Sequence, residues 1–94
     1  MTNAARVEAI RERLQRSLSP QELDIVDESH KHVGHAGARD GRGHFRLRIV
    51  AAAFAGLPLI RRHQLVYAAL ADLMQSDIHA LAMETRSPHE TPRA

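Results

Sequence analysis

The sequence contains no cysteine. That excludes a disulfide framework, a thiol nucleophile and any thiolate metal site built from this chain alone. Aromatic residues are scarce, with Phe45, Phe54 and Tyr67 making up the 3%. A base-stacking platform for single-stranded nucleic acid needs more rings than these, and the core has to be aliphatic. No run approaches the ~20 apolar residues of a membrane span. The N-terminal stretch lacks the apolar segment of a signal peptide, and Glu8 and Glu12 do not suit an acid-poor transit peptide. A cytoplasmic protein without a membrane partner is expected. A dominant charge is missing as well: 13 basic and 11 acidic residues leave a net charge of +2, a weak field for steering nucleic acid. Lys31 is the only lysine, so the cationic chemistry is that of arginine, suited to bidentate phosphate or carboxylate contacts.

What is present is a 44% share of hydrophobic residues in 94, enough for one compact domain. Val7, Ile10, Leu14 and Leu18 recur at helical spacing with charges on the other faces. Thr2 or Asn3 can cap this helix and Ser19-Pro20 stops it. Residues 23–28 read as a short edge strand. Residues 44–50 read as a better one: Phe45, Leu47 and Ile49 face the core, while His44, Arg46 and Arg48 face water. After the breakers Gly56 and Pro58, a second helix is predicted from about Leu59 to Gln75 and a third strand from Ile78 to Arg86. Ser87-Pro88 opens a polar stretch, so the domain is set at 1–86 and a disordered tail at 87–94.

Helix-strand-strand-helix-strand is an α+β order. The first two strands can pair antiparallel, and a right-handed helical crossover sets the third parallel to the second. A three-stranded mixed sheet with both helices on one face buries every apolar stripe. Residues 29–43 stand apart. They hold four of the five glycines and His30, His32 and His35. Structureless connections of roughly 12–15 residues are uncommon in compact domains and tend to be functional or disordered.

The motifs Asp27-Glu28-Ser29, Gly34-His35-Ala36-Gly37, His44-Phe45, Phe54-Ala55-Gly56, Arg62-His63 and Ile78-His79-Ala80-Leu81, in this order and spacing, resemble the BolA family over nearly the whole chain. The resemblance implies a fold similar to class II KH domains. It also implies association with monothiol glutaredoxins, iron–sulfur cluster handling and iron regulation and, in some bacterial members, DNA binding and transcriptional control. Two positions depart from the family pattern: Gly43 stands where Thr is usual, and Gln64 replaces the last Arg of Arg-His-Arg.

By the resemblance, His79 is the first candidate ligand of a 2Fe-2S cluster and His35 the second, with His30 and His32 as rivals to His35. Arg62, His63, Ala80 and Leu81 are candidate partner contacts. A two-iron cluster takes four protein-side ligands, and two histidines can replace two cysteines on one iron. Without thiols this chain offers at most a histidine half-site, so no cluster is expected on the isolated chain. A glutaredoxin Cys and the thiol of glutathione supply the remainder in the family. His63, in the apolar stripe of the second helix, also reads as a boundary residue holding a backbone carbonyl, and His44 as structural or solvated.

Other chemistries find less support. His30-x-His32-x-x-His35 resembles a metal-binding tract, but a glycine-rich segment preorganises zinc poorly. Gly34-His35-Ala36-Gly37 satisfies the GxxG letters of a nucleic-acid clamp but lies between strands, whereas a working clamp joins helices. Arg61, Arg62, Arg46 and Arg48 remain as candidate phosphate contacts for the alternative function, a DNA-binding transcriptional regulator. Ser29 near histidines lacks any implied oxyanion donors, and Asp27-Glu28 point to opposite faces of a strand. No enzyme is expected.

Overall fold

A computed structural model of the chain describes residues 2–29 and 42–91. Helix α1 (Asn3–Leu18) starts where the Thr2 hydroxyl accepts the N–H of Ala5 at 3.0 Å, satisfying one of the orphan donors of the first turn. It ends at Ser19, which is left-handed at φ 45° and returns its N–H to the carbonyl of Gln15. Pro20 follows and cannot continue the ladder. Ile10 and Leu14 are fully buried, with Val7 and Leu18 packed beside them, as the 3.6-residue spacing predicts.

Strands β1 (Glu22–Asp27), β2 (Gly43–Val50) and β3 (Ile78–Arg86) form one sheet in the order β1-β2-β3. The β1–β2 pair is antiparallel and the β2–β3 pair parallel. Phe45, Leu47 and Ile49 turn inward to Ile10 and Leu14 of α1 and to Val66 and Leu70 of helix α2 (Leu59–Leu70). Arg46 and Arg48 lie exposed on the opposite face. The expected α+β architecture, with a three-stranded mixed sheet and the helices on one side, is the one observed.

Four local features differ from the sequence reading. The second helix does not run to Gln75. It stops at Leu70, Ala71 takes φ 49° and ψ −122°, and a single turn, α3 (Leu73–Ser76), follows. The guanidinium of Arg13 on α1 donates to the Leu70 carbonyl and the Asp72 carboxylate, so a distant residue caps the break. At the other end of the chain, packing continues beyond residue 86. Ser87 is buried, its N–H donates to Glu90 at 2.7 Å, and Glu90 pairs with Arg62 at 2.6 Å. The tail placed at 87–94 therefore begins with a folded turn, and residues 92–94 lie outside the described residues.

The third difference is at Gly43, which belongs to β2. A Cβ there would collide with the Phe45 ring and sit 3.2 Å from the Asn3 Oδ1. The ring fills the space a side chain would need, which explains why glycine can replace the usual Thr. The fourth difference is His44. His44 is buried at 6% exposure, whereas Arg46 and Arg48 of the same strand are exposed; beside it the register shifts, and His79 of β3 is the extra residue between the Gly43–Ile78 and His44–Ala80 pairs.

Candidate functional site

Because β2 and β3 are parallel, their first residues share one end of the sheet. Gly43 pairs with Ile78 and His44 with Ala80, and the Gly43 N–H donates to the Asp77 carbonyl at 2.9 Å. The two histidines that open these strands are thereby neighbours: the His44 and His79 rings have centroids 5.0 Å apart, tilted by 49°. His79 is exposed, whereas both His44 ring nitrogens are shielded from solvent.

Several ties make this end rigid. The Ser29 hydroxyl accepts the His44 N–H at 3.0 Å, and the Asp27 carboxylate accepts the Ser29 N–H at 2.9 Å. Arg6 of α1 binds Asp77 at 3.0 Å. The Ser76 hydroxyl and then the Arg6 guanidinium hold the Asp77 carboxyl below the usual carboxylate range. Arg42 donates to the Gln75 carbonyl and reaches Nδ1 of His79, each at 3.2 Å. His35, His30 and His32 lie outside the described residues. The residues flanking that segment, Ser29 and Arg42, are both anchored beside the histidine pair.

The predicted partner contacts separate. Ala80 is exposed next to His79, and Leu81 is half-buried against the core. Arg62 is 8% exposed and turned inward. Its Nε donates to the Leu57 carbonyl at 2.8 Å, its Nη1 reaches the Thr85 carbonyl at 3.4 Å, and Glu90 closes the network. Arg62 is therefore corrected from a surface contact for protein or phosphate to an interior tie. His63 is half-buried, and its shielded Nε2 has no hydrogen-bond partner among the described residues. Of the other candidate phosphate contacts, Arg46 pairs with Glu28 and Arg48 with Glu84, while Arg61 is exposed beside Leu57, Gln64 and Leu65.

Sequence reasoning read His44 as structural or solvated without placing it beside His79, and it missed Arg42. A signal for His44 was available, since a parallel β2–β3 pair brings the first residues of both strands together. Chemically, adjacent imidazoles can bind a borderline metal ion through their lone pairs. No group of three His, Cys, Asp or Glu poised for a metal occurs among the described residues.

The family model for BolA-like protein matches residues 14–90. The chain belongs to the BolA family. SufE-like protein 1, chloroplastic/mitochondrial, of Arabidopsis thaliana is 45% identical over 86% of this chain, which spans 23% of that protein's length. The DNA-binding transcriptional regulator BolA of Escherichia coli is 36% identical, with 83% of this chain and 71% of that protein covered. Among solved structures, the BolA domain of SufE1 from Arabidopsis thaliana aligns with a TM-score of 0.81 and 42% identity, covering 92% of this chain and 95% of that one. No helix among the described residues is long and apolar enough to cross a membrane.

Proposed function

We propose that this BolA family member is a non-catalytic cytoplasmic adaptor. It binds a monothiol glutaredoxin and co-ligates a bridging 2Fe-2S cluster through His79 and a second imidazole, His35 being the first candidate. The observation that carries this reading is an exposed histidine at the start of β3, packed beside the buried ring of His44, in a chain with no thiol. His79 supplies one imidazole of a half-site in which two imidazoles complete one iron while thiolates complete the other; the second is assigned to His35, which lies outside the described residues. His79 would hold the iron, and a glutaredoxin Cys with glutathione would supply the sulfur ligands. The bound cluster supplies a visible chromophore and one-electron chemistry; the chain supplies orientation and docking. Ala80 and Leu81 extend the surface around His79.

The test is visible circular dichroism of the protein mixed with cluster-loaded glutaredoxin and glutathione. Wild type is expected to change the cluster spectrum and His79→Ala to lose that change. Coincident spectra for the two proteins sink the ligand assignment.

A second reading, DNA-binding regulation, draws on the name of the Escherichia coli relative and on exposed Arg61. The burial of Arg62 and the acidic partners of Arg46 and Arg48 leave it fewer cations to neutralise phosphates. It predicts duplex affinity that falls steeply with salt and is lost in Arg61→Ala, with the circular dichroism response intact. Salt-independent or absent binding removes it.

A further inference from the structure

Arg42 is the first described residue after the histidine-rich segment. Among its contacts, one guanidinium there donates to the Gln75 carbonyl and reaches Nδ1 of His79, each at 3.2 Å. A guanidinium carries donors and no acceptor. The contact therefore makes Nδ1 the unprotonated nitrogen, and in the neutral ring the proton sits on Nε2.

A neutral imidazole has one in-plane lone pair, and a metal needs it. If a metal binds through Nδ1, it must take the position of the guanidinium. If it binds through Nε2, the proton must move to Nδ1, and two N–H groups would then face each other at the same contact. Both routes break the Arg42–His79 hydrogen bond. The His44 ring, 5.0 Å away, remains as a neighbour when Arg42 leaves, and the Gln75 carbonyl gives the guanidinium a second anchor.

We propose that Arg42 is a latch on His79: it occupies the lone pair of the exposed imidazole, so that any electrophile or metal reaches that ring only by displacing the guanidinium. Arg42 is thus a positioning residue for the proposed ligand. The inference deepens the reading of His79 as a ligand and rests on it for its biological meaning. The contact itself can be tested on the free protein.

The probe is diethylpyrocarbonate, which acylates the unprotonated imidazole nitrogen. It is applied to the full chain above the ordinary histidine pKa of about 6.5, and modification at His79 is followed by peptide mass mapping. Arg42→Ala is expected to raise the acylation rate at His79 about fivefold, the scale of losing one ordinary hydrogen bond. Arg42→Lys, which keeps a donor, should return part of the protection. Nitrogen-15 spectra of the histidine side chains should show the Nε2–H tautomer for His79 in wild type and a shifted tautomer balance in Arg42→Ala. An unchanged or slower acylation rate in Arg42→Ala overturns the latch, as does an Nδ1–H tautomer in wild type. Neither measurement involves a cluster, so the latch can fail while His79 stands as a ligand. Coincident circular dichroism spectra for wild type and His79→Ala would remove the ligand while leaving the latch contact intact.

Discussion

The two ends of the sheet carry the two motifs that look most functional in the sequence, and they use their polar groups differently. At the end where β2 and β3 begin, His79 stands exposed against a buried His44, with Arg42 on its Nδ1. At the end where β3 finishes, Arg62 is buried and bound to Leu57, Thr85 and Glu90. Both are polar clusters assembled from distant parts of the chain. The first leaves an imidazole facing solvent. The second commits its donors to carbonyls and a carboxylate, which fixes the start of α2 against the end of β3. Exposure of the acting atom, more than the residue type, separates a candidate site from a structural tie.

The sharpest way to break this comparison is Arg62→Ala. Two backbone carbonyls lose the donor of a buried guanidinium, Glu90 at the surface loses its ion-pair partner, and the aliphatic stem leaves a gap. A loss of about 3 kcal/mol is expected, read as a lower midpoint in urea with m unchanged. His79→Ala, at an exposed site, should stay within roughly 0.5 kcal/mol of wild type. If both variants lose stability equally, the two ends do not differ as described.

A smaller effect is expected at Gly43, on the histidine side. Ala there must push aside the Phe45 ring, which is fully packed, and overpacking of this kind costs about 1–3 kcal/mol. Because Gly43 adjoins His44 and the register shift that leaves His79 unpaired between the strands, Gly43→Ala should also disturb the His44–His79 contact. Thermal unfolding reads the first effect and histidine side-chain NMR shifts the second. A fully stable Gly43→Ala protein with unchanged histidine signals would show that the glycine is not required.

Much of the fold was legible because it depends on periodicity. The stripe Val7, Ile10, Leu14, Leu18 and the alternation Phe45, Leu47, Ile49 are each decided within a few residues, and the crossover rule then orders the sheet. The misreadings occur where a distant partner decides. Ala71 has no identity that signals φ 49°, and the Arg13 guanidinium capping the break comes from another helix. Glu90 looks like tail until Arg62, far back in the chain, is placed beside it. His44 follows strand parity on paper, yet it is buried beside the ring of His79, a neighbour from another strand. His79 was legible from its motif, but its geometry with Arg42 was not, since that contact joins residues at the starts of two different strands. His35 falls outside the described residues.

Glu90 offers the gentlest test of the tied end, because its side chain is partly exposed and solvent screens its interactions. Hydrogen bonds from Ser87, and then from Arg62, lower its pKa from 4.5 to about 2. Between these values the unfolded chain takes up a proton that the folded protein refuses. The contribution of Glu90 to stability is therefore complete above about pH 4.5 and is lost as pH falls through about 2. Glu90→Gln removes this linkage, since an amide does not titrate there. Urea midpoints of wild type and Glu90→Gln should differ most above pH 4.5 and converge toward pH 2, the other carboxylates titrating alike in both. A difference that stays constant across this range would mean that the Glu90 charge does not hold the turn after β3 against Arg62, and that the packed end is secured by the backbone acceptors of the guanidinium alone.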